Sequence, residues 1–130
     1  MRPAPQDLDI TRGDFFSFFF RIKDKNPDGS TGDFHDLTGW TGIAQIRESV
    51  DAPTPLAEFD INFADQTAYP GGVLISLDEV VTATLNFTGN TVSKVIGVWD
   101  VQLTNELGEP NTFLTGNVTL WKDVSRPVTP

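Results

Sequence analysis

Cysteine is missing from this sequence altogether, which excludes disulfides, thiolate metal sites and a cysteine nucleophile. Histidine occurs once, so His-based acid–base or metal chemistry has a single place to be. Basic residues are scarce, with nine Lys plus Arg against eighteen Asp plus Glu, for a formal net charge of -9. A field of that sign repels phosphate backbones and anionic lipid, so neither nucleic acid nor a membrane surface is expected as a partner. No apolar run approaches the ~18 residues of a spanning helix, and the first residues, Met1-Arg2-Pro3-Ala4-Pro5, lack the apolar stretch of a secretory leader. A chain made in soluble form is expected.

What is present is aromatic and β-branched. Ten Phe and three Trp within a 38% apolar composition argue for a packed core, and 130 residues suit one domain. The expected organisation is an extended Pro-rich arm over residues 1–6, a β domain over 7–124 and a second extended arm over 125–130. Between the arms, strand-like runs alternate with Gly, Pro, Asn and Asp clusters. Strands are expected at 8–12, 15–22, 40–47, 56–63, 73–76, 95–104 and 112–122, the last two as a long hairpin through Asn105-Glu106-Leu107-Gly108. This spacing predicts an all-β fold, an antiparallel β-sandwich or barrel of about seven strands.

Parity sorts many side chains. Ala44 and Ile46 share a face with Trp40; Phe59, Ile61 and Phe63 oppose Glu58, Asp60 and Asn62; Val95, Trp99, Val101 and Leu103 fall together. Trp40 and Trp99 are therefore expected in the core. The strand at 15–22 places aromatics on both faces and must be covered on both, while Trp121 falls out of step with Leu114, Val118 and Leu120. Phe16, Phe18, Phe20 and Trp121 are accordingly the expected interface residues, with a homo-oligomer as the expected state. Ser76-Leu77-Asp78-Glu79 fits a capping box opening one short helix at about 78–85.

Few residues suggest chemistry. Asp24, Asn26, Asp28 and Ser30, with Gly29, match the opening of a calcium loop, yet the twelfth position is His35 rather than a bidentate Glu. Asx turns in a hairpin loop use the same residues. Asp33, His35 and Asp36 cluster around the lone imidazole, without the Gly-x-Ser-x-Gly elbow a serine triad would use. Asp100 lies inside the strongest strand, on the face opposite Trp99. Arg12-Gly13-Asp14 matches an adhesion tripeptide but reads as a turn between strands, and Asn86-Phe87-Thr88 and Asn117-Val118-Thr119 match glycosylation sequons by chance. The reading is of a protein that is not an enzyme, with no cofactor and no catalytic residue.

Several segments, taken in order, carry a resemblance: Ile10-Thr11-Arg12-Gly13-Asp14 leading into the aromatic strand, Asp36-Leu37-Thr38-Gly39-Trp40, Ile43-Ala44-Gln45-Ile46-Arg47, Val98-Trp99-Asp100-Val101-Gln102-Leu103, Leu114-Thr115-Gly116-Asn117-Val118 and Asp123-Val124-Ser125-Arg126-Pro127. In order and spacing the chain is similar to small proteins of tailed-bacteriophage structural modules, including the head domains of upper-baseplate and tail-fibre proteins. The resemblance implies an immunoglobulin-like β-sandwich in the virion, assembled in the host cytoplasm. There it would join other virion proteins as a tail, baseplate or fibre-attachment component. A capsid cement protein is the alternative of the same class. A carbohydrate-binding module, which needs a coplanar pair of exposed aromatics, is the alternative of another class, and a hydrolase using Asp33, His35 and Asp100 a third.

Overall fold

The computed structural model describes residues 3–25 and 27–124. The arm expected at 125–130 and the first two residues of the arm at 1–6 lie outside them. In chain order the strands are β1 (Ala4–Pro5), β2 (Leu8–Thr11), β3 (Phe16–Arg21), β4 (Lys23–Lys25), β5 (Thr31–Phe34), β6 (Thr41–Arg47), β7 (Ala57–Glu58), β8 (Asp60–Phe63), β9 (Gly72–Leu77), β10 (Ser93–Thr104) and β11 (Pro110–Trp121). One helix, α1 (Glu79–Thr84), lies between β9 and β10. The fold is mostly β, as the strand spacing predicts.

Two sheets face one core. The larger runs β1-β11-β10-β6-β7, with β2 alongside β1 on the same flank of β11; the smaller runs β3-β9-β8; β4 and β5 form a separate hairpin. Buried residues of both sheets, among them Ile10, Ile46, Val73, Ile75, Trp99, Val101, Leu103, Val118 and Leu120, form a single cluster. Burial of large aliphatic and aromatic side chains at roughly 25 cal/mol per Å² is the main term holding the sheets together.

Purely antiparallel pairing does not hold: β1 and β2 both run parallel to β11, Ala4 opposite Leu114 and Leu8 opposite Val118. The N-terminal segment is thus not a free arm from residue 4 onward, because it is stitched to the last strand. Between β1 and β2, Gln6 and Asp7 pass beside Gly116. A Cβ on Gly116 would lie 2.1 Å from the Gln6 carbonyl oxygen, so glycine is what lets the first segment run this close to β11. Gln6 N–H donates to the Thr115 carbonyl at 2.8 Å, and the Asp7 carboxylate accepts from Asn117 N–H at 2.9 Å.

The strand expected at 56–63 is two strands in different sheets. β7 pairs with β6, and β8 pairs with β9. Phe59 sits at the crossing, 4% exposed, with its N–H donating to the Ala44 carbonyl at 2.9 Å. A chain that changes sheet in this way closes a corner between layers.

The long hairpin forms as expected, with Gly108 at φ 82 in its turn and the Asn105 side chain accepting from Leu107 N–H and Glu109 N–H at 3.0 Å each. Register shifts lie between Val95 and Gly97 and between Val101 and Gln102. The first moves Val95 to the solvent side, 54% exposed, against the expectation that it shares the face of Trp99. Gly97 marks the irregularity: a Cβ there would lie 2.2 Å from the Arg47 carbonyl oxygen.

Two further expectations change. The helix is capped by Asp78, whose carboxylate accepts from Val81 N–H at 2.9 Å, and Ser76 is instead an almost buried member of β9. Ser76 therefore forms no capping box. Trp40 is half-buried rather than fully in the core, its ring lying between His35 (5.3 Å between centroids) and Phe113 (6.2 Å). Trp99 is 2% exposed and central, edge-on to Phe59 at 5.9 Å.

Candidate functional site

The hairpin loop that resembles a calcium loop spends its described carboxylates internally. Asp28 accepts from the Ser30 hydroxyl at 2.6 Å and from Ser30 N–H at 2.9 Å, and these two bonds, the hydroxyl first, hold its carboxyl below the ordinary range. Asp24 pairs with His35 Nδ1 at 2.6 Å. Asn26 lies outside the described residues. Among the described residues no three His, Asp or Glu side chains are grouped to hold a metal ion.

The Asp33, His35, Asp36 cluster does not converge. His35 turns toward Asp24 and the Trp40 ring, while Asp36 faces the next turn, accepting from the Thr38 hydroxyl at 2.6 Å and Thr38 N–H at 2.9 Å. Those bonds, again the hydroxyl first, depress the Asp36 carboxyl. Asp36 is thus a turn-former, while Asp33 lies within β5.

Asp100 lies on the outer face of the larger sheet, in a shallow hollow of about 190 Å³ lined also by Gln45, Arg47, Val50, Val98 and Thr115. Partial desolvation raises its carboxyl above the ordinary value, and the nearby Arg47 charge opposes the rise. A larger open groove of about 500 Å³ lies where Leu56, Phe87, Val95, Ile96 and Val98 meet Asn86 and Asn117. Its ionisable lining residues are Glu48 and Lys94, so no two carboxylates face each other across it.

Arg12-Gly13-Asp14 is built into the turn from β2 to β3. Arg12 Nε donates to Asp123 at 2.7 Å and its terminal nitrogen to the Asn86 side chain at 2.8 Å. The fully buried Thr82 hydroxyl accepts from Gly13 N–H at 3.0 Å and donates to the Asp14 carbonyl at 2.8 Å. Helix α1 therefore pins the start of the aromatic strand, a role no sequence pattern announces.

That strand is the most distinctive surface. Phe16, Phe18 and Phe20 point toward the core and are half-buried, Phe16 lying 6.1 Å from Phe59 and Phe18 6.1 Å from Phe20 between ring centroids. The members given to solvent are Phe15 and Phe19, 62% and 46% exposed. The sequence marks five Phe here without saying which face they take, because Ser17 is the only polar residue within the run. At the far end of the larger sheet, Trp121 is 42% exposed and its indole N–H donates to Asp9 at 3.0 Å. The expected interface set thus divides between two places, β3 in the smaller sheet and Trp121 beside β2.

No family model matches the chain, and no curated protein matches it.

Proposed function

We propose that the chain is a structural or adaptor protein of a tailed-bacteriophage virion, a tail, baseplate or fibre-attachment component, built as an immunoglobulin-like β-sandwich. The observation that carries the sandwich part of this reading is the order of the strands. One sheet reads first segment, β11, β10, β6, β7, and the other β3, β9, β8. The opening segment runs parallel to the closing strand, and the chain changes sheet at Phe59, an order that fits an immunoglobulin-like sandwich. Supporting it, Asp28 and Asp36 are engaged in shaping turns and the Asp33, His35, Asp36 cluster does not converge, while aromatic side chains are spent on a strand at the margin of a sheet. A protein of this make works by burying surface against other proteins.

Immunogold labelling of assembled particles with an antibody raised against the chain tests the proposal. Label at the tail or its tip is the expected result. Label over the heads would replace the tail reading with the capsid cement alternative, and purified particles free of label would overturn the virion reading itself.

A further inference from the structure

The strands that terminate the sheets differ in one respect. β1 carries Pro5, β2 Asp9, β7 Glu58 and β8 Asp60, and in the small hairpin β4 carries Asp24 and β5 Asp33. Charge and proline are what keep exposed strand edges from pairing with other chains. β3, Phe-Ser-Phe-Phe-Phe-Arg, has neither a carboxylate nor a proline, and its strand partner among the described residues is β9, on one flank. Among the described residues no strand pairs with its other flank, which lies beside the exposed Phe15 and Phe19.

We propose that β3 is a homodimerisation edge, at which two copies of this chain pair antiparallel about a twofold axis at Phe18. A second copy is the occupant that the charge favours. On a chain of net charge -9, copies approach with least repulsion where neither brings a carboxylate, and of the two described terminal strands without one, β1 is two residues long and ends in Pro5, which leaves β3. The strand is also complementary to itself. A twofold axis normal to the sheet places residues of equal parity opposite each other, so Phe18 meets Phe18, Phe16 meets Phe20, and the outward Phe19 meets the small Ser17. Exposed Phe15 then comes opposite Arg21, whose guanidinium already lies 3.5 Å from the Phe34 ring centroid and offers a second face. The two three-stranded sheets become one sheet of six strands, and the half-buried row Phe16, Phe18, Phe20 is covered on its open flank. The inference rests on this edge and not on where the protein works, so it stands or falls separately from the virion reading.

Light scattering coupled to size-exclusion chromatography of the full chain is the first measurement. A mass twice the 14.3 kDa of the chain is expected, returning to that of one chain in Phe19→Glu and in Ser17→Glu with an unchanged circular dichroism spectrum, while Trp121→Glu stays dimeric. The absence of cysteine permits a second measurement that does not rest on disruptive variants. Residues directly opposite in an antiparallel pair have Cα atoms about 4.5–5.5 Å apart, within disulfide reach. A mixture of Ser17→Cys and Phe19→Cys proteins should therefore form a mixed disulfide dimer on oxidation, and neither variant should cross-link efficiently with itself. A monomer at all concentrations, a dimer lost in Trp121→Glu but kept in Phe19→Glu, or cross-linking indifferent to the mixture would overturn the proposal.

Discussion

The indole N–H of Trp99 donates to the main-chain oxygen of Gln6 at 2.7 Å, reaching a segment 93 residues earlier in the chain. The contact passes over Gly116, the residue opposite Trp99 in the β10–β11 ladder, which has no side chain to close the gap. One core tryptophan thereby fixes the position of the first segment against the last strand. Gly116→Ala is expected to destabilise the fold by roughly 2–3 kcal/mol, since its Cβ would displace the Gln6 backbone. Trp99→Phe, which keeps a ring but loses the donor, is expected to cost about 2 kcal/mol. Urea unfolding checks both, and an unchanged midpoint in Gly116→Ala would show that the first segment is not held there.

Helix α1 offers a second test. Asp78 supplies the capping carboxylate, so Asp78→Ala is expected to lose about 1 kcal/mol. Ser76→Ala, which removes a β9 hydroxyl that caps no helix N–H, is expected to cost less than Asp78→Ala. A capping box centred on Ser76 would reverse that order in the same unfolding measurement.

The acidic side chains give opposite pH dependences. Asp100 has a raised carboxyl in the folded state, so the folded protein holds its proton to higher pH than the unfolded chain does. Stability from this group therefore falls as pH rises from the ordinary carboxylate value through the raised one. Asp100→Asn should be more stable than the parent at neutral pH, by less than about 1 kcal/mol because the group is exposed to water, with the gap closing in acid. Asp28 and Asp36 are depressed, so their contribution is present above the ordinary carboxylate value and is lost as pH falls through the lowered one. Asp36→Ala should be less stable than the parent at neutral pH and indistinguishable from it in strong acid. Thermal melts across pH read all three.

Calcium should leave the protein unmoved. Asp28 is held by Ser30 and Asp24 by His35, so a cation would have to displace short hydrogen bonds to gain those oxygens. Thermal melts with calcium and with a chelator are expected to coincide. A rise in melting temperature with calcium that Asp28→Ala abolishes would restore the loop as a cation site.

How much of this could be read from the residues follows from what alternation encodes. Parity tells a side chain which way is inward, and Ala44, Ile46, Phe59, Trp99, Val101 and Leu103 all lie where it puts them. It does not tell a strand which sheet it belongs to. The pattern through 57–63 continues unbroken across the change of sheet at Phe59 because both sheets share one inside. Straight alternation puts Val95 on the wrong face because the ladder is irregular between Val95 and Gly97, and Gly97 is the mark of that irregularity in the sequence. The parallel pairing of β1 and β2 has no local signature: Pro5 and the polar residues around it spell an extended segment, and only the tertiary contact with β11 decides where it lies. For the same reason Thr82, which ties the helix to the turn before β3, looked like an ordinary helix residue. The aromatic strand was legible as a surface to be covered, but its split into inward Phe16, Phe18 and Phe20 and outward Phe15 and Phe19 needed the register with β9.

The shared direction of β2 and β11 also decides how the molecule would bear load. Ala4 lies beside Leu114 and Thr11 beside Trp121, so Ala4 and Val124 leave the ladder at opposite poles. Tension applied between those poles would strain the β2–β11 hydrogen bonds together, sideways, rather than opening them one at a time from an end. A unit strung between two neighbours by its ends would yield to pulling abruptly and at high force.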